Sequence, residues 1–142
     1  MAFTGNYTCN SFKQQLFEGD FDFSSTTTQT FKIALYTNDA TLDQTTTTYT
    51  TTGEVLASGY TGGGSAITPT LAIDSTNGIA YLDFTNVSWS GAFTARGALI
   101  YRETTGNPAI CVLDFGSDKT STTTFTVEFP PNTSTTALIR LS

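Results

Sequence analysis

Carboxylates are the only side chains in this sequence whose type and spacing suit acid–base chemistry. Asp20 and Asp22 stand two apart, so on an extended strand they would share a face. Asp114 and Asp118 flank Gly116. A glycosidase needs two carboxyl groups about 5–10 Å apart around a sugar, one of them held protonated. Both pairs sit among turn or alternating residues, where solvated, ionised carboxylates are the ordinary outcome. The 142 residues include no histidine. That removes Ser-His-Asp and Cys-His arrangements and histidine-bearing zinc sites. No G-x-S-x-G, G-x-x-x-x-G-K-[ST] or G-x-G-x-x-G motif occurs. Gly62-Gly63-Gly64 has no lysine or clear helix after it and reads as a loop, not an anion cradle. Asp74, Asp114 and Asp118 lack the D-x-[DN]-x-[DN]-G frame of a calcium loop. The expectation is a chain that is not an enzyme, with no catalytic residue, metal site or cofactor.

Cys9 and Cys111 are about a hundred residues apart and form no C-x2-C pair. Cys111 lies in the apolar run Ala109–Leu113, where a thiol behaves as a small core residue. Free cysteines are favoured over a disulfide. Tyr7, Tyr49, Tyr60 and Trp89 are the aromatics least clearly assigned to a core and are the candidates for a glycan-stacking platform. Three sequons, at Asn6, Asn86 and Asn132, are chance products of a chain this rich in threonine and asparagine.

These residues must be held by β-structure. Threonine occurs 31 times and charged residues make up only 13 % of the chain. Threonine is β-branched and suits a pleated, half-exposed surface. The composition argues against a helical bundle, a coiled coil or a parallel α/β enzyme. The net charge is −6, and the six basic residues are scattered. Direct nucleic-acid binding and polybasic membrane attachment are therefore not expected. No apolar run reaches the roughly 18 residues of a membrane span. The start, Met1-Ala2-Phe3-Thr4-Gly5-Asn6, lacks the basic and apolar regions of a signal peptide, so synthesis in a cytoplasm without secretory processing is expected.

The spacing predicts one helix over Ser11–Glu18, with Ser11 and Gln14 in a capping-box pattern and Gly19 as its stop. Phe12 and Leu16 share a face, with Phe17 beside them. Residues 1–23 are read as an arm or subelement that packs through Phe12, Leu16 and Phe17 on its own domain or on a neighbour. These three are the candidate assembly residues. Residues 24–142 read as the β-sandwich domain, and the chain as a single domain overall. Strands are predicted over Phe31–Thr37, Ala66–Asp74, Gly78–Thr85, around Val87 and Trp89, and over Ala98–Glu103, Ala109–Phe115, Phe125–Phe129 and Ala137–Leu141. Pro69 pushes its strand to an edge or a bulge, and Asn77-Gly78 is a hairpin signal. Thr45–Thr52 reads equally as a polar edge strand or a loop. The fold class is all-β, an antiparallel sandwich or jelly-roll-like barrel with one short N-terminal helix.

Four stretches, Phe31–Thr37, Gly59–Gly63, Ala95–Tyr101 and Val112–Thr120, resemble a family of small virion structural proteins of tailed bacteriophages. The resemblance runs over nearly the whole chain and rests on pattern and order, not on catalytic motifs. It implies a capsid decoration or cement protein on the outer head surface, made in the host cytoplasm. Its partner would be the major capsid protein, and it would form a homo-oligomer, with a trimer favoured. A tail, neck or fibre component is the alternative. A glycan-binding receptor module is the second, and a carboxylate hydrolase the least supported.

Overall fold

Strand β2 (Thr30–Tyr36) is apolar on both faces: Phe31, Ile33 and Leu35 are buried on one side, Ala34 and Tyr36 on the other. Such a strand must be covered on both sides. The computed structural model describes residues 3–142 and places β2 inside a five-stranded antiparallel sheet, next to its edge strand. The sheet order is β1 (Tyr7–Thr8), β8 (Ala109–Thr120), β7 (Thr94–Glu103), β2, β3 (Ser65–Ile67). A three-stranded sheet runs β10 (Ile139–Leu141), β5 (Ile79–Phe84), β4 (Pro69–Asp74). The pair β6 (Val87–Ser90) and β9 (Thr124–Val127) forms a third ladder. The fold is all-β and sandwich-like, as its alternation predicts.

An aromatic layer joins the sheets. Phe31 of the large sheet stacks on Phe23 at 4.8 Å, and Phe84 of the small sheet meets both rings at 6.2 Å. Trp89, Phe93 and Phe125 continue the layer under the β6–β9 ladder. Phe21 and Phe23 are buried while Asp20 and Asp22 are exposed, so this stretch alternates without joining a ladder.

Three local expectations are corrected. The single strand predicted over Ala66–Asp74 breaks at Thr68: β3 pairs with β2, whereas β4 pairs with β5. Pro69 has no N–H to continue the first ladder, and β4 becomes a sheet edge. The helix α1 (Asn10–Glu18) starts at an N-cap Cys9 with no side-chain cap. Ser11 is inside the first turn, its hydroxyl buried without a partner among the described residues. The Cys9 N–H instead donates to the Ile110 carbonyl at 2.9 Å, so the β1–β8 ladder sets where the helix begins. Gly19 does stop it, at φ 84° with its N–H on the Gln15 and Leu16 carbonyls.

The third correction concerns the arm. Met1 and Ala2 lie outside the described residues. From Phe3 onward the segment belongs to the core: Phe3, Cys9 and Phe12 are buried, and β1 is a strand of the main sheet. Phe3 lies against Gly97, where an added Cβ would come within 2.4 Å of its ring. Residue 23 therefore marks no structural boundary. Deleting residues 1–18 is predicted to abolish cooperative thermal unfolding, and Phe3→Ala alone to cost about 3–5 kcal/mol. Circular dichroism melts test both. A truncated chain that melts cooperatively would show the segment to be separable from the β-domain.

Candidate functional site

The largest buried polar cluster was not anticipated from the sequence. Glu54 follows the threonine run and is only 6 % exposed. Its carboxylate accepts hydrogen bonds from the Tyr49 hydroxyl (2.6 Å), the Tyr60 hydroxyl (2.7 Å) and the Gly63 N–H (2.7 Å). The Tyr60 oxygen in turn accepts from the Leu35 N–H at 2.8 Å. Tyr49 stacks on Tyr101 at 4.7 Å, and Tyr101 donates to the Gly63 carbonyl at 2.7 Å. Tyr36 donates to the Thr50 carbonyl at 2.7 Å. Burial is the main cause that raises the pKa values of Tyr36, Tyr49 and Tyr60, and it pushes Tyr101 up to about 12. These hydroxyls stay neutral donors. The carboxylate is closed in by its own donors, and the cluster is an anchor.

The anchor completes the sheet edge. β3 ends opposite Ile33, leaving the outer edge of β2 open beyond it. Val55 N–H donates to the Leu35 carbonyl at 3.0 Å and Thr37 N–H to the Gly53 carbonyl at 2.8 Å. Residues 53–55 thus take over from β3. The Thr45–Thr52 stretch is a loop, held to the Asn107 carbonyl by the Tyr49 N–H at 3.0 Å.

The members of the two carboxylate pairs sit in different local settings. Asp114 accepts from the Arg96 Nε at 3.3 Å and from the Gly116 N–H at 2.8 Å. Asp118 is exposed beyond a bulge at Gly116, φ 82°, where the β7–β8 register shifts, and it makes no hydrogen bond to Asp114. Asp22 accepts from the Ser24 N–H at 2.9 Å, and that bond lowers its pKa, the opposite of what a general acid needs. Asp74 organises its turn through Thr76, Asn77 and Ser134. Among the described residues no group of three metal-ligating side chains converges, and no helix is long and apolar enough to cross a membrane. Cys9 and Cys111 are free and buried; burial pushes the Cys9 thiol up to about 11 and raises Cys111 as well. Of the candidate stacking aromatics, Tyr60 and Trp89 are buried, and Tyr49 and Tyr7 are half-buried.

The candidate assembly residues divide. Phe12 is buried and Leu16 packs against the core, so both serve their own domain. Phe17 is 88 % exposed and makes no such contribution. Two further surfaces stand out. An apolar groove of about 360 Å³ lies between α1 and the small sheet. On the opposite chemistry, Ser88, Ser90, Thr94, Thr120, Thr124 and Thr126 are all exposed on a bent two-stranded ribbon made of β6–β7 and β8–β9. Hydroxyls pair across it at 2.8 Å, Ser88 with Thr126 and Thr94 with Thr120. The bend is pinned by Ser121, whose hydroxyl donates to the Gly91 carbonyl at 2.7 Å.

Asp83 is a buried carboxylate that the sequence reading passed over, 2 % exposed on β5. One oxygen accepts from the Phe84 N–H at 2.9 Å; the other has no partner among the described residues. Burial raises its pKa. Comparison with protein-family models, curated proteins and solved structures found no match.

The Asp83 geometry predicts a pH effect. A carboxyl group whose folded pKa lies above its unfolded value contributes stability at low pH and loses it as pH rises through the folded pKa. The wild type should therefore lose stability relative to Asp83→Asn as pH rises from the ordinary aspartate range near 4 toward neutrality. Urea unfolding of both chains across this range reads the difference directly. A flat or rising difference would contradict the assignment.

Proposed function

We propose that this chain is a non-enzymatic structural protein of a tailed-phage particle, a decoration protein that binds the outside of the capsid through its hydroxyl-lined ribbon. The observation that carries the reading is the ribbon itself. Its six exposed hydroxyl side chains carry no charge, and two cross-strand pairs already hold one another. Threonine is stiff at χ1, so such a face loses little freedom on docking. Each contact is weak, and repetition over a symmetric shell supplies the strength. The family resemblance of the sequence supports the same reading. The rest of the molecule suits a part that resists deformation: a two-sided core and a fully hydrogen-bonded buried carboxylate.

A glycan-binding receptor module is the second reading. A groove of about 400 Å³ beside the ribbon is lined by Phe115, Phe125, Lys119 and Glu128, a mixture of ring and polar groups that a sugar can use.

Co-sedimentation with DNA-free capsids of the phage that encodes the chain is the test. The wild type should pellet with capsids. Ser90→Arg with Thr124→Glu, exposed on the same ribbon and outside its hydroxyl pairs, should weaken binding at least about tenfold at unchanged thermal stability, because such exposed substitutions usually shift stability by under about 0.5 kcal/mol. Binding that survives these charges would remove the ribbon from the interface. Pelleting with purified tails instead would move the chain to the tail, and polysaccharide binding without capsid binding would favour the receptor module.

A further inference from the structure

Seven asparagines occur in the chain, and one of them, Asn77, is followed by glycine. An asparagine carboxamide and the next backbone nitrogen can close into a cyclic imide. A side chain on the next residue crowds that closure, and glycine has none. Proline has no N–H to take part with, which rules out Asn107. The Asp39 N–H after Asn38 donates to the Thr37 hydroxyl at 3.3 Å, and the Thr133 N–H after Asn132 donates to the Pro131 carbonyl at 2.9 Å. Tyr7, Ser11 and Val87, which follow Asn6, Asn10 and Asn86, are held in β1, α1 and β6.

The Asn77 site is open by comparison. Residues 75–78 form the exposed turn between β4 and β5. The Gly78 N–H has no hydrogen-bond acceptor among the described residues. A Cβ added at Gly78 would meet nothing within 4 Å, so the glycine nitrogen is approachable. The carboxamide is also joined to the rest of the fold. Asn77 Nδ2 donates to Asp74 Oδ2 at 2.8 Å, and the Asn77 N–H donates to Asp74 Oδ1 at 3.1 Å. The Ser134 hydroxyl donates to the same Oδ2 at 2.7 Å. One carboxylate thus ties the turn to the segment that leads into β10. The Asn77 side chain is the main cause that holds the Asp74 carboxyl below its usual range.

We propose that Asn77 is a site of spontaneous deamidation, and that its conversion weakens the Asp74 tie between the β4–β5 turn and the C-terminal segment. The Gly78 nitrogen attacks Asn77 Cγ and forms the new N–C bond. The Cγ–Nδ2 bond breaks, and Nδ2 leaves as ammonia with the proton that Gly78 gives up. Water then opens the imide. Opening at Cγ leaves aspartate; opening at the backbone carbonyl leaves isoaspartate, whose main chain runs through Cβ and Cγ. In sum, an amide and a water give an acid and ammonia, with no oxidant or cofactor. In either product the Nδ2 donor is gone and a carboxylate stands beside Asp74. Like charges at such a spacing repel. Isoaspartate also lengthens the main chain of the turn. The inference does not rest on the virion reading, and its test needs no capsid.

The test incubates the full-length chain at mildly alkaline pH and follows every asparagine by peptide mapping with mass spectrometry. Isoaspartate methyltransferase labelling tells the two products apart. Asn77 should convert ahead of the other six asparagines, with isoaspartate among its products. Gly78→Ala should lose most of the conversion. Gly78 has φ 68°, where alanine is strained, so Gly78→Asn serves as the second variant, because asparagine tolerates this left-handed backbone. Thermal melts of Asn77→Ser and Asn77→Asp read the consequence. Both lose the Nδ2 bond to Asp74 and only the second adds a charge, so Tm should fall from wild type to Asn77→Ser to Asn77→Asp. An intact Asn77 while another asparagine converts, or a rate unchanged in both Gly78 variants, would overturn the site. An Asn77→Asp chain that melts with or above the wild type would overturn the coupling to the turn.

Discussion

The structure depends on one buried carboxylate that had to find donors. An ionised carboxylate removed from water is costly unless hydrogen bonds replace its hydration. Glu54 meets that condition with two tyrosine hydroxyls and a backbone N–H. The consequence is organisational. Tyr49 comes from the threonine-rich loop, Tyr60 and Gly63 from the glycine-rich one, and Tyr60 also caps the Leu35 N–H on β2. One side chain thus ties two segments of low intrinsic order to the edge of the main sheet. Because burial raises the tyrosine pKa values, the donors keep their protons across ordinary pH.

This anchor links the fold to the proposed role. A particle component has to present fixed surfaces, not a reactive centre. The hydroxyl ribbon is fixed by its cross-strand pairs and by Ser121 at the bend.

Much of the fold was legible because its signals are local. Alternation marked β2, Gly19 marked the helix end, and Asn77-Gly78 marked the β4–β5 turn, where Gly78 has φ 68°. What escaped the sequence depends on contacts distant along the chain. β1 is two residues long and exists only because Tyr7 and Thr8 meet Val112 and Cys111. That ladder also displaced the capping box at Ser11. Phe17 follows Leu16 directly, yet a helix turns about 100° per residue, enough to put one against the core and the other in water. Glu54 looked like a lone acid between low-complexity stretches. The usable hint was tyrosine on either side of it, at positions 49 and 60, near an acid followed by apolar Val55 and Leu56. No local rule says that such residues converge. Asp83 was hidden differently, as a polar residue at an inward-facing strand position.

Native-state hydrogen exchange on the wild type and Glu54→Gln tests the anchoring of this edge most directly. Glutamine keeps the size but replaces one acceptor oxygen with a donor. In the wild type, the amides of Leu35, Val55 and Gly63 should be protected nearly as well as Ile33 and Ile100 in the β2–β7 ladder. In Glu54→Gln, Val55 and Gly63 should lose protection together, by about tenfold or more, as expected for a charge-assisted network worth about 1.5–3 kcal/mol per bond. Gly63 exchanging at open-loop rates in the wild type, or protection unchanged in the variant, would contradict the account.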